Sequence, residues 1–182
     1  MKSRLMSRRS LGRRRLLQAT GSLLAAPALA LPTRTALAQA ASAPQAPVLV
    51  LRHAATEPGI GDPPGYVLGR CETQRNLSAE GRAQAGRIGE LFRANGMVAA
   101  EVYSSQWCRC LDTASLMGLG EVRPQPLLNS FFQDRTREAG QIEALRRWIG
   151  QLDLAKPTVF VTHQVVVTAL SQVFPGSGEI VA

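Results

Sequence analysis

The sequence predicts an α/β domain in three layers, with a mostly parallel central sheet and helices on both of its faces. Two observations carry this prediction. Two short apolar runs, residues 48–51 and 158–161, have the composition of strands buried inside a parallel sheet. Strand-like and helix-like segments also alternate along the chain, which is typical of a parallel sheet covered on both faces. At 182 residues, with no internal repeat, the chain has the length of one domain.

The two apolar runs end in the same way. The strand over 48–51 stops at Arg52 and His53, and the strand over 158–162 stops at His163. The chain contains two histidines, and both terminate a buried-strand pattern. A lone histidine is more often bonded within the core. Two in matching positions point instead to the carboxyl edge of the sheet, where open α/β sheets bind their ligands.

The other elements follow from local signals. A Gly- and Pro-rich loop over 54–69 leaves the first strand at the edge where loops often shape a substrate pocket. Ser78 is predicted to cap the first helix, which Asn95-Gly96 ends. The remaining predicted elements are a strand over 98–103, a helix from Ser104-Ser105 to about Met117, a crossover at Pro124 and Pro126, helices over 138–152 and 165–173, and the start of a strand at 178–181.

The net charge of +8 belongs to the first 38 residues. Eight of the 21 Lys and Arg residues lie there, and this segment contains no acid. The other 13 basic residues match the 13 acidic ones, so the rest of the chain has no basic excess. Nucleic acid is therefore not an expected partner.

Residues 1–38 have the three parts of an export signal: a basic segment, a moderately apolar run, and the small-residue cleavage pattern Ala36-Leu37-Ala38. The sequence RRRLL at 13–17 resembles the twin-arginine signature, so we expect the twin-arginine export machinery as a partner. Cleavage before Gln39 would give a periplasmic or secreted bacterial protein. The alternative is an uncleaved anchor.

The apolar run of the leader is too short and too mild for a spanning helix, so no stable membrane insertion is expected after cleavage. An Ala- and Pro-rich linker over 39–47 then leads to the domain over 48–182.

Three cysteines would enter an oxidising compartment: Cys71, Cys108 and Cys110. The odd number leaves at least one thiol free within a single chain. One bridge, from Cys71 to either Cys108 or Cys110, is expected. A zinc site is the rival interpretation, but Cys-x-Cys is not the usual ligand spacing.

Two guanidinium groups and two imidazoles are predicted to surround one point: Arg52, His53, Arg109 and His163. Such a set suits a small dianion, because the planar fork of Arg donates two parallel hydrogen bonds to phosphate oxygens. The helix N-terminus beside Arg109 is expected to add donors. There is no glycine-rich phosphate loop and no carboxylate cluster for magnesium, so we expect neither a metal nor a cofactor. A neutral imidazole is then the expected nucleophile.

Four segments resemble the motifs of the histidine phosphatase superfamily, which has the phosphoglycerate-mutase-like fold. They occur in the family's order: LRHA at 51–54, LSAEGRAQA at 77–85, SQWCRCLDTA at 105–114 and VTHQ at 161–164. Ala54 stands where the family has Gly. The resemblance implies that His53 is the phosphorylated nucleophile. It also implies that Arg52, Arg109 and His163 hold the phosphoryl oxygens.

The proton donor departs from the family's pattern. Many members have an Asp directly after the second histidine, or a Glu after the helix that carries the Arg109-type residue; here Gln164 follows His163. Asp134 is the nearest candidate for the acid, and its alternative is a solvated loop carboxylate. The chain also stops at Ala182, where family members often continue.

The function predicted from these residues is an exported phosphatase that hydrolyses a small phosphomonoester through a phosphohistidine, without a metal. One alternative is a phosphohistidine protein phosphatase of the small bacterial type, which the export signal disfavours. The other is a catalytically inactive module that binds a phosphate or a sugar phosphate. The substrate itself is not predicted.

Overall fold

A five-stranded sheet lies at the centre of residues 46–182, the part of the chain that the computed structural model describes. The predicted leader over 1–38 and nearly all of the predicted linker lie outside these residues. The strands are β1 (Val48–Arg52), β2 (Glu101–Ser104), β3 (Val122–Pro124), β4 (Thr158–Thr162) and β5 (Ile180–Val181), in the spatial order β3-β2-β4-β1-β5. The first four run parallel, and β5 pairs antiparallel with β1.

Four helices cover the sheet: α1 (Ala79–Ala94), α2 (Cys108–Met117), α3 (Glu138–Ile149) and α4 (Gln164–Ser171). Short 3-10 turns occur at Cys71–Thr73, Pro126–Leu128 and Arg135–Arg137. Within residues 46–182, no helix is both long enough and apolar enough to cross a membrane.

The helices form two layers because successive strand residues point to opposite faces. On β4, Val159 and Val161 join the apolar cluster under α1 and α2, whereas Phe160 joins the cluster under α3 and α4. On β1, Leu51 packs into the first cluster and Val50 against the second. The three-layer α/β prediction, with apolar runs packed on both faces, is therefore confirmed.

The element boundaries show where local signals were too weak. The residues of β3 were predicted as part of a crossover, because three residues that end in a proline show no recognisable period. In the structure they form an edge strand that pairs with β2 alone. Helix α2 begins at Cys108 rather than after Ser105, and β2 starts at Glu101. The cap of α1 at Ser78 is confirmed, since its hydroxyl accepts a 3.0 Å hydrogen bond from the Gly81 N–H.

Candidate active site

The two histidines lie side by side at the carboxyl edge of the sheet. They follow β1 and β4, which are adjacent parallel strands with Arg52 opposite Thr162. The ring centroids of His53 and His163 are 5.4 Å apart at an interplanar angle of 71°. Each residue is only 4% exposed, so both imidazoles sit at the floor of the cavity that they help to line.

The tautomer of His53 is set by the chain itself. Its Nδ1 lies 2.8 Å from the carbonyl oxygen of Ala54, which can only accept, so Nδ1 carries the proton and Nε2 keeps a lone pair. Burial, reinforced by the nearby charge of Arg109, lowers the pKa of His53 to about 3. At neutral pH the ring is therefore an uncharged nucleophile with Nε2 as the reactive atom.

His163 has the opposite tautomer. The guanidinium of Arg109 can only donate, and its Nη2 lies 3.5 Å from Nδ1 of His163. The proton is then on Nε2, which donates to the Ser105 hydroxyl at 2.8 Å, and that hydroxyl donates to Asn129 Oδ1 at 3.2 Å. Burial, and then the charge of Arg109, holds the pKa of His163 well below its ordinary value.

Two residues from the sequence motifs, Gln84 and Thr113, hold the end of β1 in place. The backbone N–H of Ala54 donates to Thr113 Oγ1 at 3.1 Å, and that of Ala55 donates to Gln84 Oε1 at 2.9 Å. Gln84 belongs to α1 and Thr113 to α2, so each helix supplies a hydrogen bond to one of the two residues that follow His53. The sequence motifs contain these side chains, but their role as ties to the strand end is visible only in the fold.

Arg109 is not a free cation. Its Nη1 and Nη2 lie 2.7 and 3.1 Å from the two carboxylate oxygens of Asp62, and both side chains are nearly fully buried. Burial opposes ionisation of Asp62, but the hydrogen bonds and charge of Arg109 outweigh it and lower the pKa of that carboxyl. Sequence reasoning did not assign Asp62 to the site, because it lies 47 residues before Arg109 in a loop without a periodic pattern.

The guanidinium groups of three arginines, Arg52, Arg75 and Arg109, line the same cavity of about 360 Å³, which a fourth arginine, Arg137, also borders. Arg52 is anchored by a 2.8 Å hydrogen bond from Nη1 to the Pro175 carbonyl. Among the residues described, the buried side-chain nitrogens without a hydrogen-bond partner are the Nε atoms of these three arginines. Unpartnered buried donors of positive charge fit an anionic ligand. Arg75 was not predicted as a site residue.

Two N–H groups at the N-terminus of α2 are already paired with side chains. The Cys108 N–H at the start of α2 donates to Gln74 Oε1 at 3.0 Å, and the Trp107 N–H contacts the Ser105 hydroxyl at 3.3 Å. The unpartnered buried donors that line the cavity are therefore those of the arginines, among the residues described.

Asp134 lies on the rim of the cavity, in the loop between β3 and α3. It is exposed, and its carboxylate accepts from the backbone N–H of Thr136 at 3.2 Å and from the hydroxyl of the same residue. The structure therefore brings all five predicted residues to one cavity. The role of Asp134 as an acid stays a prediction.

A disulfide joins Cys71 to Cys108, which decides between the two pairings left open by the sequence. It ties the segment after the pocket loop to the start of α2, beside Arg109. Cys110 is a buried thiol 3.5 Å from Nε2 of His163. Burial raises the pKa of Cys110 to about 12, so it stays protonated.

Comparison with known proteins agrees with this geometry. The family model described as "Histidine phosphatase superfamily (branch 1)" matches residues 48–131, which include Arg52, His53 and Arg109. No curated protein sequence matches the chain.

Solved structures share the fold at low identity. A variant of phosphoserine phosphatase from Entamoeba histolytica, solved with phosphoserine, is 17% identical, with 73% of this chain and 87% of that chain covered and a TM-score of 0.51. The product of an open reading frame of Mycobacterium tuberculosis is 21% identical, with 73% and 88% covered and a TM-score of 0.53. A mycobacterial hydrolase is 18% identical, with the same coverage and a TM-score of 0.53.

Proposed function

We propose that this chain, whose residues 48–131 match the model of branch 1 of the histidine phosphatase superfamily, hydrolyses a small phosphomonoester through a covalent phosphohistidine at His53. The observation that carries the proposal is a neutral imidazole, with its Nδ1 proton held by the Ala54 carbonyl, among three guanidinium groups whose Nε donors lack a partner in the described residues.

The proposed reaction has two steps. The lone pair of His53 Nε2 attacks phosphorus, the ester P–O bond breaks, and the leaving oxygen takes a proton, for which Asp134 is our candidate donor. Water then attacks the phosphohistidine and returns a proton to Asp134, the P–N bond to Nε2 breaks, and inorganic phosphate leaves. The cations of Arg52, Arg75 and Arg109 stabilise the charge on the transferring phosphoryl group in both steps.

Trapping the intermediate tests the proposal. A phosphoramidate is labile in acid and stable in base, so an alkaline quench with a labelled phosphomonoester should leave label on the peptide that contains His53. His53→Ala should abolish both label and turnover. His163→Ala should retain label at His53 while turnover falls, because Ser105 and Arg109 both lose the ring that they contact. Full turnover in His53→Ala, or label at His163 alone, would overturn the assignment.

Independence from metals is also proposed. Turnover should survive prolonged dialysis against a chelator, because the positive charge at the site comes from arginines. Loss of activity that is recovered on addition of a divalent cation would replace the histidine mechanism with a metal-assisted one.

Export by the twin-arginine route is a separate proposal, motivated by the leader sequence over 1–38. Changing both arginine pairs, Arg8-Arg9 and Arg13-Arg14, to lysine should retain the full-length precursor in the cytoplasm. Changing Arg4 and Arg34 to lysine is the matched control and should leave export intact. Normal appearance of the mature chain outside the cytoplasm in the four-residue variant would refute this route.

A further inference from the structure

We propose that Asp62 is a positioning residue for phosphoryl transfer, which holds Arg109 by one end of its guanidinium group so that the Nε edge is presented to the phosphoryl oxygens. This inference rests on the proposed function, since it explains why a site for a phosphate ester contains the carboxylate of Asp62. An anionic side chain inside a phosphate site needs such an explanation, because it opposes the binding of a dianion.

The donors of Arg109 are nearly all used. Nη1 donates to Asp62 at 2.7 Å and to the Arg75 carbonyl at 3.3 Å. Nη2 donates to Asp62 at 3.1 Å and reaches Nδ1 of His163 at 3.5 Å, the long limit of a hydrogen bond. Nε, the fifth donor, is buried and has no partner among the described residues. Nε is therefore the donor with which Arg109 can bind a phosphoryl oxygen.

Asp62 is itself held from four directions. Oδ1 accepts from Arg109 Nη1 and from the Arg75 backbone N–H at 3.1 Å, and Oδ2 accepts from Arg109 Nη2 and from Trp107 Nε1 at 3.0 Å. An ionised carboxylate offers about four acceptor positions, and here all four are filled. Gly61, at a φ of +71° that favours glycine, precedes Asp62 in the loop. A saturated and buried carboxylate behaves as a fixed support for Arg109.

Two other roles for Asp62 give opposite expectations. As the proton donor, it would need a raised pKa, but its partners lower the pKa of this carboxyl. As a plug, meaning a carboxylate that occupies the phosphate position until substrate displaces it, Asp62 would have to break four hydrogen bonds each time substrate binds. A plug predicts tighter anion binding when the carboxylate is removed, whereas a positioning residue predicts poorer stabilisation of the transition state.

The ratio of two affinities separates these roles. Orthovanadate adopts the five-coordinate geometry of the transition state, and inorganic phosphate represents the ground state. Both are anions, so the effect of removing the Asp62 charge largely cancels in the ratio of their affinities. In Asp62→Asn we expect kcat to fall at least about tenfold, with no rise in KM, and the preference for vanadate over phosphate to fall by about the same factor. The matched control is Asp112→Asn, on α2 in an exposed pair with Arg82, which should change both quantities less than twofold.

Trp107→Phe tests the same idea in a chain that keeps the Asp62 charge. It removes the Nε1 donor and keeps an aromatic ring beside His163, so the same ratio should fall, by less than in Asp62→Asn. This variant keeps the inference testable where Asp62→Asn does not fold. An unchanged ratio with lowered unfolding stability would show a merely structural role and overturn the inference. Tighter binding of both anions would overturn it in favour of a plug. A wild-type protein that neither hydrolyses phosphomonoesters nor binds vanadate would overturn the proposed function as well.

Discussion

The Nδ1 proton of His53 is donated to the carbonyl oxygen of Ala54 at 2.8 Å, so the residue after the histidine selects its tautomer. Helices α1 and α2 fix that carbonyl, because Gln84 and Thr113 bond the backbone of Ala55 and Ala54. The nucleophile is thus oriented by backbone that two helices hold.

Acid should destabilise the fold through its two histidines. His53 has a folded pKa of about 3, and that of His163 is also well below its ordinary value, so the unfolded chain binds more protons as pH falls below about 6.5. His53 then lowers the free energy of unfolding by up to about 1.4 kcal/mol for each unit by which the pH falls between about 6.5 and 3, and His163 acts in the same direction. Urea unfolding at pH 6 and pH 5 measures this slope.

His53→Asn supplies the control for the acid effect. Carboxylates titrate in both proteins, so the difference between their slopes isolates His53. We expect the free energy of unfolding of the variant to depend less steeply on pH, by the amount that corresponds to about one bound proton. Equal slopes in the two proteins would contradict a buried, neutral His53.

Asp134→Asn should affect poor leaving groups more than good ones. An alkyl alkoxide needs a proton as it departs, whereas p-nitrophenolate does not, so kcat for an alkyl phosphate should fall about 10²-fold or more while that for p-nitrophenyl phosphate stays within a few-fold. Asp153→Asn is the matched control, because this exposed carboxylate likewise accepts from a backbone N–H two residues on. Equal losses for both esters would remove Asp134 as the acid.

Three glycines of α1 should respond differently to alanine. A Cβ at Gly81 would lie 1.7 Å from the Ala55 carbonyl oxygen and one at Gly89 2.0 Å from that of Met117, whereas Gly86 has no atom within 4 Å. We expect Gly86→Ala to stabilise the fold by up to about 1 kcal/mol and the other two to cost about 2 kcal/mol or more.

Kinetics separate the two damaging glycine variants. Gly81→Ala displaces the backbone beside His53 and should also lower kcat of the folded protein, whereas Gly89→Ala contacts the end of α2 away from the site. Thermal unfolding and active-site titration measure both effects. A Gly81→Ala protein with unchanged stability would show that α1 does not approach the strand end closely.

Removing the disulfide should destabilise the domain. The paired cysteines are 37 positions apart, and a double change of Cys71 and Cys108 to serine should lower the free energy of unfolding by about 2–4 kcal/mol. A reductant should produce the same loss in the wild-type protein and none in the double variant. A wild-type protein that is insensitive to reductant in urea would contradict the bridge.

The sequence was sufficient to predict the fold class, and the five site residues that it predicted line one cavity. Apolar runs report burial on both faces of a parallel sheet, and parallel strands necessarily bring their carboxyl ends to one edge. His53 and His163 were therefore expected to meet, and their rings are 5.4 Å apart. Strand β3 escaped prediction because three residues carry no period, and its place was decided by pairing with β2.

By itself, the sequence determined that Arg52, His53 and His163 lie at the carboxyl edge, because local patterns mark where strands end. Only the tertiary structure decided how those groups are used. The tautomers of the two imidazoles, the pairing of Arg109 with Asp62, the entry of Arg75 into the cavity and the choice of Cys108 over Cys110 all depend on contacts between distant segments. Directional hydrogen bonds and buried charges act over a few ångströms in space, and no spacing along the chain encodes that distance.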